Sequence, residues 1–344
     1  MEKIVDEIVK FISDYRNDQG INIDKDHIIT WVEQFNKKDR KFLLSELLHI
    51  LPTSYLSKVD VKDILANLLN RFAENYEKDN VNKFLSKSRF LSCQGKYKSQ
   101  TVLLKYLSSI VNEKFDTELN YDNPDVKYWI YLDDVIASGG TFQKNIEDKI
   151  DDYGAEEIVE NDIKIISFFF FLHSWGHANT EYILSKRYGK PLLGNMQFWF
   201  HHEIQNDPRI NNHNPNPRFN IAYPIKDKIR PHMDEYLEQL SADRNYENAY
   251  RAPQLPSTEN YYSSRNNRIR YENIILDKGI DIYNRIEAPA PPVRPLGFTV
   301  PSNKTFGTGS HVFTWRNISN TCPIVYWWEY NDWYPLFPVN RGGN

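Results

Sequence analysis

Residues 128–142 read Tyr-Trp-Ile-Tyr-Leu-Asp-Asp-Val-Ile-Ala-Ser-Gly-Gly-Thr-Phe. An apolar run ends in two adjacent carboxylates, Asp133 and Asp134, and a loop of small residues follows: Ala137, Ser138, Gly139, Gly140 and Thr141. Side chains alternate along a strand, so neighbouring carboxylates face opposite ways and cannot both be buried cheaply in apolar packing. They need partners: sugar hydroxyls, a divalent cation or backbone amides. The loop supplies consecutive N–H groups and two hydroxyls at a helix start, which is an anion site by geometry and dipole. Carboxylates for vicinal hydroxyls and an amide nest for phosphate, a few residues apart, suit a ribose 5-phosphate. The alternative is a capped turn without a ligand, although paired acids and a double glycine exceed what capping needs.

Other side chains offer weaker chemistry. In Gly95-Lys96-Tyr97-Lys98-Ser99-Gln100, two ammonium groups precede a helix start. That suits a diphosphate or, alternatively, an exposed basic turn. It is not a P-loop, whose Gly-x-x-x-x-Gly-Lys spacing is absent. His173, Ser174 and His177 follow an apolar strand and could contact a base or move a proton, or simply cap a helix. His201, His202 and Glu203 suggest a metal, but adjacent histidines on a strand should diverge. Arg265, Arg268 and Arg270 beside Tyr261 and Tyr262 form a basic-aromatic patch, a nucleic-acid contact or a solvated surface.

The elements that must position these groups follow from periodicity. The first 90 residues read as helical, with apolar stripes such as Val61, Ile64, Leu65, Leu68, Leu69 and Phe72, and with Asp24 or Asp26 as an N-cap. The run Phe42 to Leu51 should stop at Pro52. From residue 91 to about 200 the pattern becomes helix Thr101 to Val111, strand Lys127 to Leu132, helix Thr141 to Tyr153 closed by Gly154, and strand Ile163 to Leu172. A helix Asn179 to Tyr188 closed by Gly189 and strand material at Pro191 to Leu193 and Met196 to Phe200 complete it. This alternation predicts an α/β fold with a parallel sheet. Residues 201–344 read as a polar insertion, helices at Asp234 to Leu240 and Tyr271 to Ile286, a Pro-rich linker at Ala288 to Pro295, and an aromatic C-terminal extension packing on the core.

Bulk properties bound the function. A chain of 344 residues can bury a large core. Net charge −4 argues against a global basic field for nucleic acid. Cys93 and Cys322 make no disulfide framework and read as free thiols. No apolar stretch is long enough for a membrane span, and the N-terminus lacks a signal-peptide pattern, so a cytoplasmic protein is expected.

The run Asp133 to Thr141 closely resembles the phosphoribosyl-diphosphate (PRPP) motif of type I phosphoribosyltransferases. The adenine enzymes carry a very similar acid-acid-apolar-apolar-Ala-Thr-Gly-Gly-Thr run, and Ser138 here keeps the hydroxyl. The resemblance spans roughly residues 90–200. It implies that Asp133 and Asp134 bind the ribose 2′ and 3′ hydroxyls, and Ala137 to Thr141 the 5′-phosphate. Lys96, Lys98 and Ser99 would serve the diphosphate. Mg²⁺ would sit on ligand oxygens and water, reaching Asp133 and Asp134 indirectly. The helical N-terminus, the Gly-Lys-x-Lys-Ser loop, the Arg294-Pro-Leu-Gly297 segment and the Trp333-Tyr-Pro-Leu-Phe337 end resemble a narrower group: phosphoribosyltransferase-like effectors of bacterial anti-phage systems, retrons among them. That resemblance implies a toxic effector that uses PRPP or a related nucleotide. Its partners would be other proteins of a defence operon, such as a reverse transcriptase with its non-coding RNA and DNA. A non-catalytic nucleotide sensor or an interaction subunit is the alternative. No familiar nucleobase hood is recognisable.

Overall fold

The computed structural model describes residues 1–96, 98–207, 218–226, 230–240, 249–330 and 332–339. Tyr97 of the basic loop and the polar run at 211–217 lie outside the described residues. Contacts divide the chain into two compact units, Met1–Lys58 with Ile204–Asn344, and Val59–Glu203. The division cuts across the three regions read from the sequence, because residues 59–90 fall in the same unit as the motif.

The first unit opens with α1 (Glu2–Ile12), α2 (Lys25–Glu33) and α3 (Lys37–Ser54), then a short strand β1 (Tyr55–Leu56). Val5, Ile8 and Ile12 of α1 are buried, while Phe11 is 37% exposed. Asp24 caps α2 by accepting from the His27 amide at 2.9 Å. Helix α3 runs through Pro52 instead of stopping there. Proline falls in the last turn, and the Thr53 and Ser54 hydroxyls both bond back to the Ile50 carbonyl, at 3.1 and 3.0 Å.

The second unit holds α4 (Lys58–Glu77), α5 (Val81–Ser86), β2 (Ser88–Phe90), α6 (Ser99–Phe115), β3 (Tyr128–Ile136), α7 (Gly140–Tyr153), α8 (Ala155–Glu160), β4 (Lys164–His173), α9 (Ser174–Gly194) and β5 (Met196–Ile204). The sheet order is β2-β3-β4-β5, and β2, β3 and β4 are parallel. Trp129, Tyr131, Ile165 and Phe169 point to one face and meet Phe142, Ile146 and Ile150 of α7. Tyr128 points to the other and packs on Phe84 of α5 and Tyr76 of α4, with ring centroids 5.1 and 5.3 Å apart. Helices on both faces explain why β4, Ile-Ile-Ser-Phe-Phe-Phe-Phe-Leu at its centre, is apolar without alternation.

Three boundaries differ from the periodic reading. Strand β3 does not end before the acids. It continues through them to Ile136, because Val135 and Ile136 still pair with Phe171 and Leu172 of β4. Helix α9 starts five residues early, at Ser174. The expected strand at Pro191 to Leu193 is a further helical turn: Gly189 (φ 82°, ψ 170°) breaks the helix, and Pro191 is preset for a new first turn.

The first unit resumes with α10 (Pro231–Gln239), α11 (Arg265–Tyr283), β6 (Phe313–Thr314) and β7 (Asn317–Ile318); β1 pairs parallel with β6, and β6 antiparallel with β7. Its aromatic C-terminus packs on the N-terminal helices of the same unit, whereas the sequence predicts packing on the α/β core. Phe337 stacks on Phe313 at 4.7 Å and meets Tyr15 edge-on at 5.0 Å. The Trp31 and Trp333 indoles both donate to the Val325 carbonyl at 2.9 Å. The expected basic-aromatic patch does not form. Arg268 is fully buried, paired with Glu259 at 2.5 Å and Glu272 at 3.4 Å, and lies 4.4 Å over the Tyr262 ring. Arg270 pairs with Asp39, and Arg265 bonds the Gln254 and Pro256 carbonyls. Of the three only Arg268 serves the interior; Arg265 and Arg270 stay exposed but are held by these contacts. Arg294 is buried too, and donates to the Pro291, Val293 and Pro301 carbonyls. Cys322 is a buried thiol and Cys93 a half-buried one.

Candidate functional site

The carboxyl ends of parallel strands are where open α/β sheets bind ligands, because loops and helix starts converge there. Strands β3 and β4 end side by side at Ile136 and His173. Between β3 and α7 lie Ala137, half-buried, and Ser138, exposed. Gly139, at φ 87°, turns the chain into the N-terminus of α7 in a conformation that disfavours other residues. Gly140 and Thr141 open the helix and are exposed, so the Ser138 and Thr141 side chains and the first turn of α7 face outward.

The loop is pressed onto the start of α9. A Cβ on Gly139 would collide with the Thr180 hydroxyl and lie 2.8 Å from the Gly176 carbonyl oxygen. A Cβ on Gly176 would meet the Ala137 carbonyl. Thr180 bonds the Gly176 carbonyl at 2.8 Å. Two glycines on separate elements thus permit the close approach that shapes the loop. Gly176 and Thr180 carry no sequence signal alone, because the approach joins segments 37 or more residues apart.

The acids have different surroundings. Asp133 is 6% exposed. Its Oδ1 accepts from the Ser99 hydroxyl at 2.6 Å and the Asp134 amide at 2.9 Å. Its Oδ2 accepts from Gln94 Nε2 at 2.6 Å and the Tyr131 hydroxyl at 3.1 Å. Asn145 of α7 donates to that same Tyr131 oxygen at 3.1 Å. Burial, then the neighbouring Asp133 charge, pushes the Tyr131 phenol upward, so it stays a donor. Asp134 is half-buried, and its Oδ1 accepts from the Val135 amide at 2.9 Å. Of the residues missed in the sequence, Tyr131 could have been found by period-two spacing from Asp133. Gln94 and Asn145 could not, since nothing local marks them.

The basic loop joins the motif from β2. Lys96 and Lys98 are exposed, Lys98 immediately precedes α6, and Ser99 is its first residue. Gln100 is buried, and its side-chain oxygen accepts from the Cys93 and Gln94 amides at 2.7 and 3.1 Å. Thus Ser99 comes together with Asp133 by direct contact.

Burial disfavours the charged form of the two histidines after β4. His173 is fully buried, and neither ring nitrogen has a partner. Burial holds its pKa down at about 3, so it stays neutral. His177 is also held low by burial, against the pull of Glu181 and Glu203, and its ring lies 4.4 Å from Phe198. The His201 and His202 rings do not diverge as expected but sit 4.3 Å apart, nearly perpendicular. Among the described residues, no three side chains are grouped to hold a metal ion, and no helix is long and apolar enough to cross a membrane.

The site therefore offers carboxylates at a strand end, hydroxyls and amides at a helix start, and a nearby lysine loop. A family model for PRTase-CE, a phosphoribosyltransferase-like effector domain, matches residues 28–339. Comparisons with curated proteins and with solved structures give no match. With nine-tenths of its length under that one model and the motif at the edge of a parallel sheet, the chain belongs to the PRTase-CE family of phosphoribosyltransferase-like effector domains.

Proposed function

We propose that this site binds PRPP, or a related ribose-phosphate nucleotide, and transfers or releases its phosphoribosyl group. One observation carries the reading: the acidic pair and the α7 N-terminus lie within nine residues of one chain, at the carboxyl edge of a parallel sheet. The exposed first turn of α7, with Ser138 and Thr141, takes the 5′-phosphate. The strand segment that carries the acidic pair serves the ribose. Lys96 and Lys98 attract the diphosphate.

In the reaction, an acceptor nucleophile forms a bond to the ribose C1′ while the C1′–oxygen bond to diphosphate breaks, and diphosphate leaves with the electron pair. Positive charge develops at C1′. The protein contributes by orienting donor and leaving group rather than by a protein nucleophile. The donor set fits Mg²⁺, a hard cation that commonly takes one or two carboxylates, water and substrate phosphates rather than an all-protein cage. The acidic pair would reach it through ligand oxygens or water, and the ion when bound would neutralise charge on the diphosphate. His173 and His177, whose charged forms burial disfavours, shape the edge of the site.

The family's effector character supports a toxic role in anti-phage defence, with other operon proteins, a reverse transcriptase and its nucleic acid included, as partners. The test is isothermal titration with PRPP and Mg²⁺, followed by mass spectrometry of the products formed when a cell extract supplies the acceptor. Binding with release of diphosphate is expected, lost in the double variant Asp133→Asn, Asp134→Asn that keeps its circular dichroism. Binding without turnover would identify a nucleotide sensor, and full activity in the folded double variant would overturn the assignment.

A further inference from the structure

We propose that the two acids divide the work: Asp133 is a positioning residue that clasps the neck of the lysine loop, and Asp134 alone meets the ribose hydroxyls. The inference rests on the ribose-phosphate reading of the site and assigns its parts.

A carboxylate offers about four lone-pair sites. Those of Asp133 meet four donors, two on each oxygen: Ser99 and the Asp134 amide on Oδ1, Gln94 and Tyr131 on Oδ2. At 6% exposure, a ribose hydroxyl could bond this group only by expelling a donor that would then be left buried. Asp134 follows in the strand and is half-buried, so it is the acid that solvent and ligand reach.

The donors that fill Asp133 point to its task. Gln94 and Ser99 bracket Gly95 to Lys98, one on each side. Both bond the same carboxylate, so Asp133 closes the loop at its neck. Further bonds stiffen that neck: Gln100 accepts from the Cys93 and Gln94 amides, Thr101 donates to the Gln94 and Gly95 carbonyls at 3.1 and 3.0 Å, and the Lys98 amide reaches the Gly95 carbonyl at 3.0 Å. On the far side Tyr131 passes the connection to Asn145, on the helix that follows the phosphate loop. Asp133 thereby fixes where Lys96 and Lys98 stand relative to the α7 N-terminus. A donor with phosphate at one end and diphosphate at the other needs that separation set before it binds.

Three ligands separate the roles by titration: PRPP, ribose 5-phosphate and 2-deoxyribose 5-phosphate. Asp134→Asn should erase the preference for ribose 5-phosphate over its 2-deoxy analogue. Ser99→Ala should keep that preference and lower the advantage of PRPP over ribose 5-phosphate by about tenfold, the size of one charge-assisted hydrogen bond. Ser99→Thr, which keeps the hydroxyl, should restore it. A ligand-free readout stands beside these: Ser99→Ala and Asp133→Asn should speed hydrogen exchange of the amides at 94–96, while Asp134→Asn should not. If folded Asp133→Asn loses the hydroxyl preference as Asp134→Asn does, or if Ser99→Ala changes neither the PRPP advantage nor the exchange, the division of work is wrong. If the wild type binds neither phosphate ligand, the ribose-phosphate reading fails, and the exchange result still decides whether Asp133 is the clasp.

Discussion

The hydroxyl of Ser99, first residue of α6, donates to Oδ1 of Asp133 at 2.6 Å across 34 residues of sequence. That bond joins a helix start to β3 and, with the Gln94 bond to the same carboxylate, brings the lysine loop to the acidic motif. Asp133→Ala would strip the acceptor from buried donors, Ser99, Gln94 and Tyr131. A loss of about 3 kcal/mol of unfolding free energy is expected, checked by urea denaturation of the variant against wild type. Asp134→Ala, at a half-buried position, should cost less than half of that.

The glycine contact between the loop and α9 makes a second prediction. Gly139→Ala places a methyl against Thr180 and the Gly176 carbonyl at φ 87°. Gly176→Ala places one against the Ala137 carbonyl with no demand on φ. Both should abolish phosphate-ligand binding by pushing the loop off α9. Gly139→Ala alone should carry an added backbone strain of about 1 kcal/mol. Titration and thermal melts of the pair measure this, and unchanged binding in Gly176→Ala would count against the close approach.

Acid stability depends on Glu77, which is buried under the sheet with Lys83 at 2.9 Å, Lys87 at 2.8 Å and the Tyr128 hydroxyl at 2.8 Å. The Lys87 bond, against the cost of burial, and then Lys83 and Tyr128, hold its pKa down at about 2 from 4.5. A depressed carboxyl stabilises the fold fully above its unfolded value and loses that contribution as pH falls from about 5 to about 2. Glu77→Gln should weaken the fold by about 2 kcal/mol at pH 7 and flatten the decline across that window. Stability measured from pH 7 to 3 in both proteins checks the slope.

His173 works in the same direction by another route. Burial lowers its pKa to about 3, below the 6.5 of the unfolded chain. The unfolded state therefore takes up a proton first, and stability falls as pH drops below about 6.5. His173→Phe removes the titration and the unpartnered nitrogens. Its melting temperature should match or exceed the wild type at pH 7, and the gap should widen at pH 5. A variant less stable at pH 5 would show that the imidazole finds a partner.

In the other unit, Glu272 is fully buried between Arg251, at 2.8 Å, and Arg268, and accepts from the Tyr223 amide at 3.1 Å. Burial pushes its carboxyl up despite both guanidiniums. Truncation to Ala leaves two buried cations short of a partner and should cost about 3–5 kcal/mol. Denaturation of Glu272→Ala is the measurement. A loss below about 1 kcal/mol would show that water replaces the carboxylate.

Local pattern was enough for the bodies of β3, β4 and β5, for the helix after the motif and for its closing Gly154, because each depends on spacing within about a dozen residues; it missed the short strand β2. The apolar run of β4 announced a strand covered on both faces, and Phe169 and Tyr128 lie under helices on opposite sides. Pattern failed at Pro52, Pro191 and Arg268. In each case the deciding contact was close in sequence but not part of the apolar periodicity: hydroxyls repairing a helix end, a glycine break resetting the chain, and buried carboxylates consuming a surface-looking arginine.

For the candidate site the sequence alone determined the reactive alphabet. Asp133 to Thr141 names paired acids, hydroxyls and a glycine turn, and their order along the chain is itself the chemical signal. Only the tertiary structure decided that the acids are unequal. Alternation says that neighbours face opposite sides, but which side is occupied depends on segments that arrive from elsewhere. Gln94 from the loop before α6 and Ser99 from its first turn bond Asp133, which is buried, while Asp134 is half-buried. Hydrogen-bond saturation is a property of three-dimensional neighbours, and no spacing within the motif encodes it.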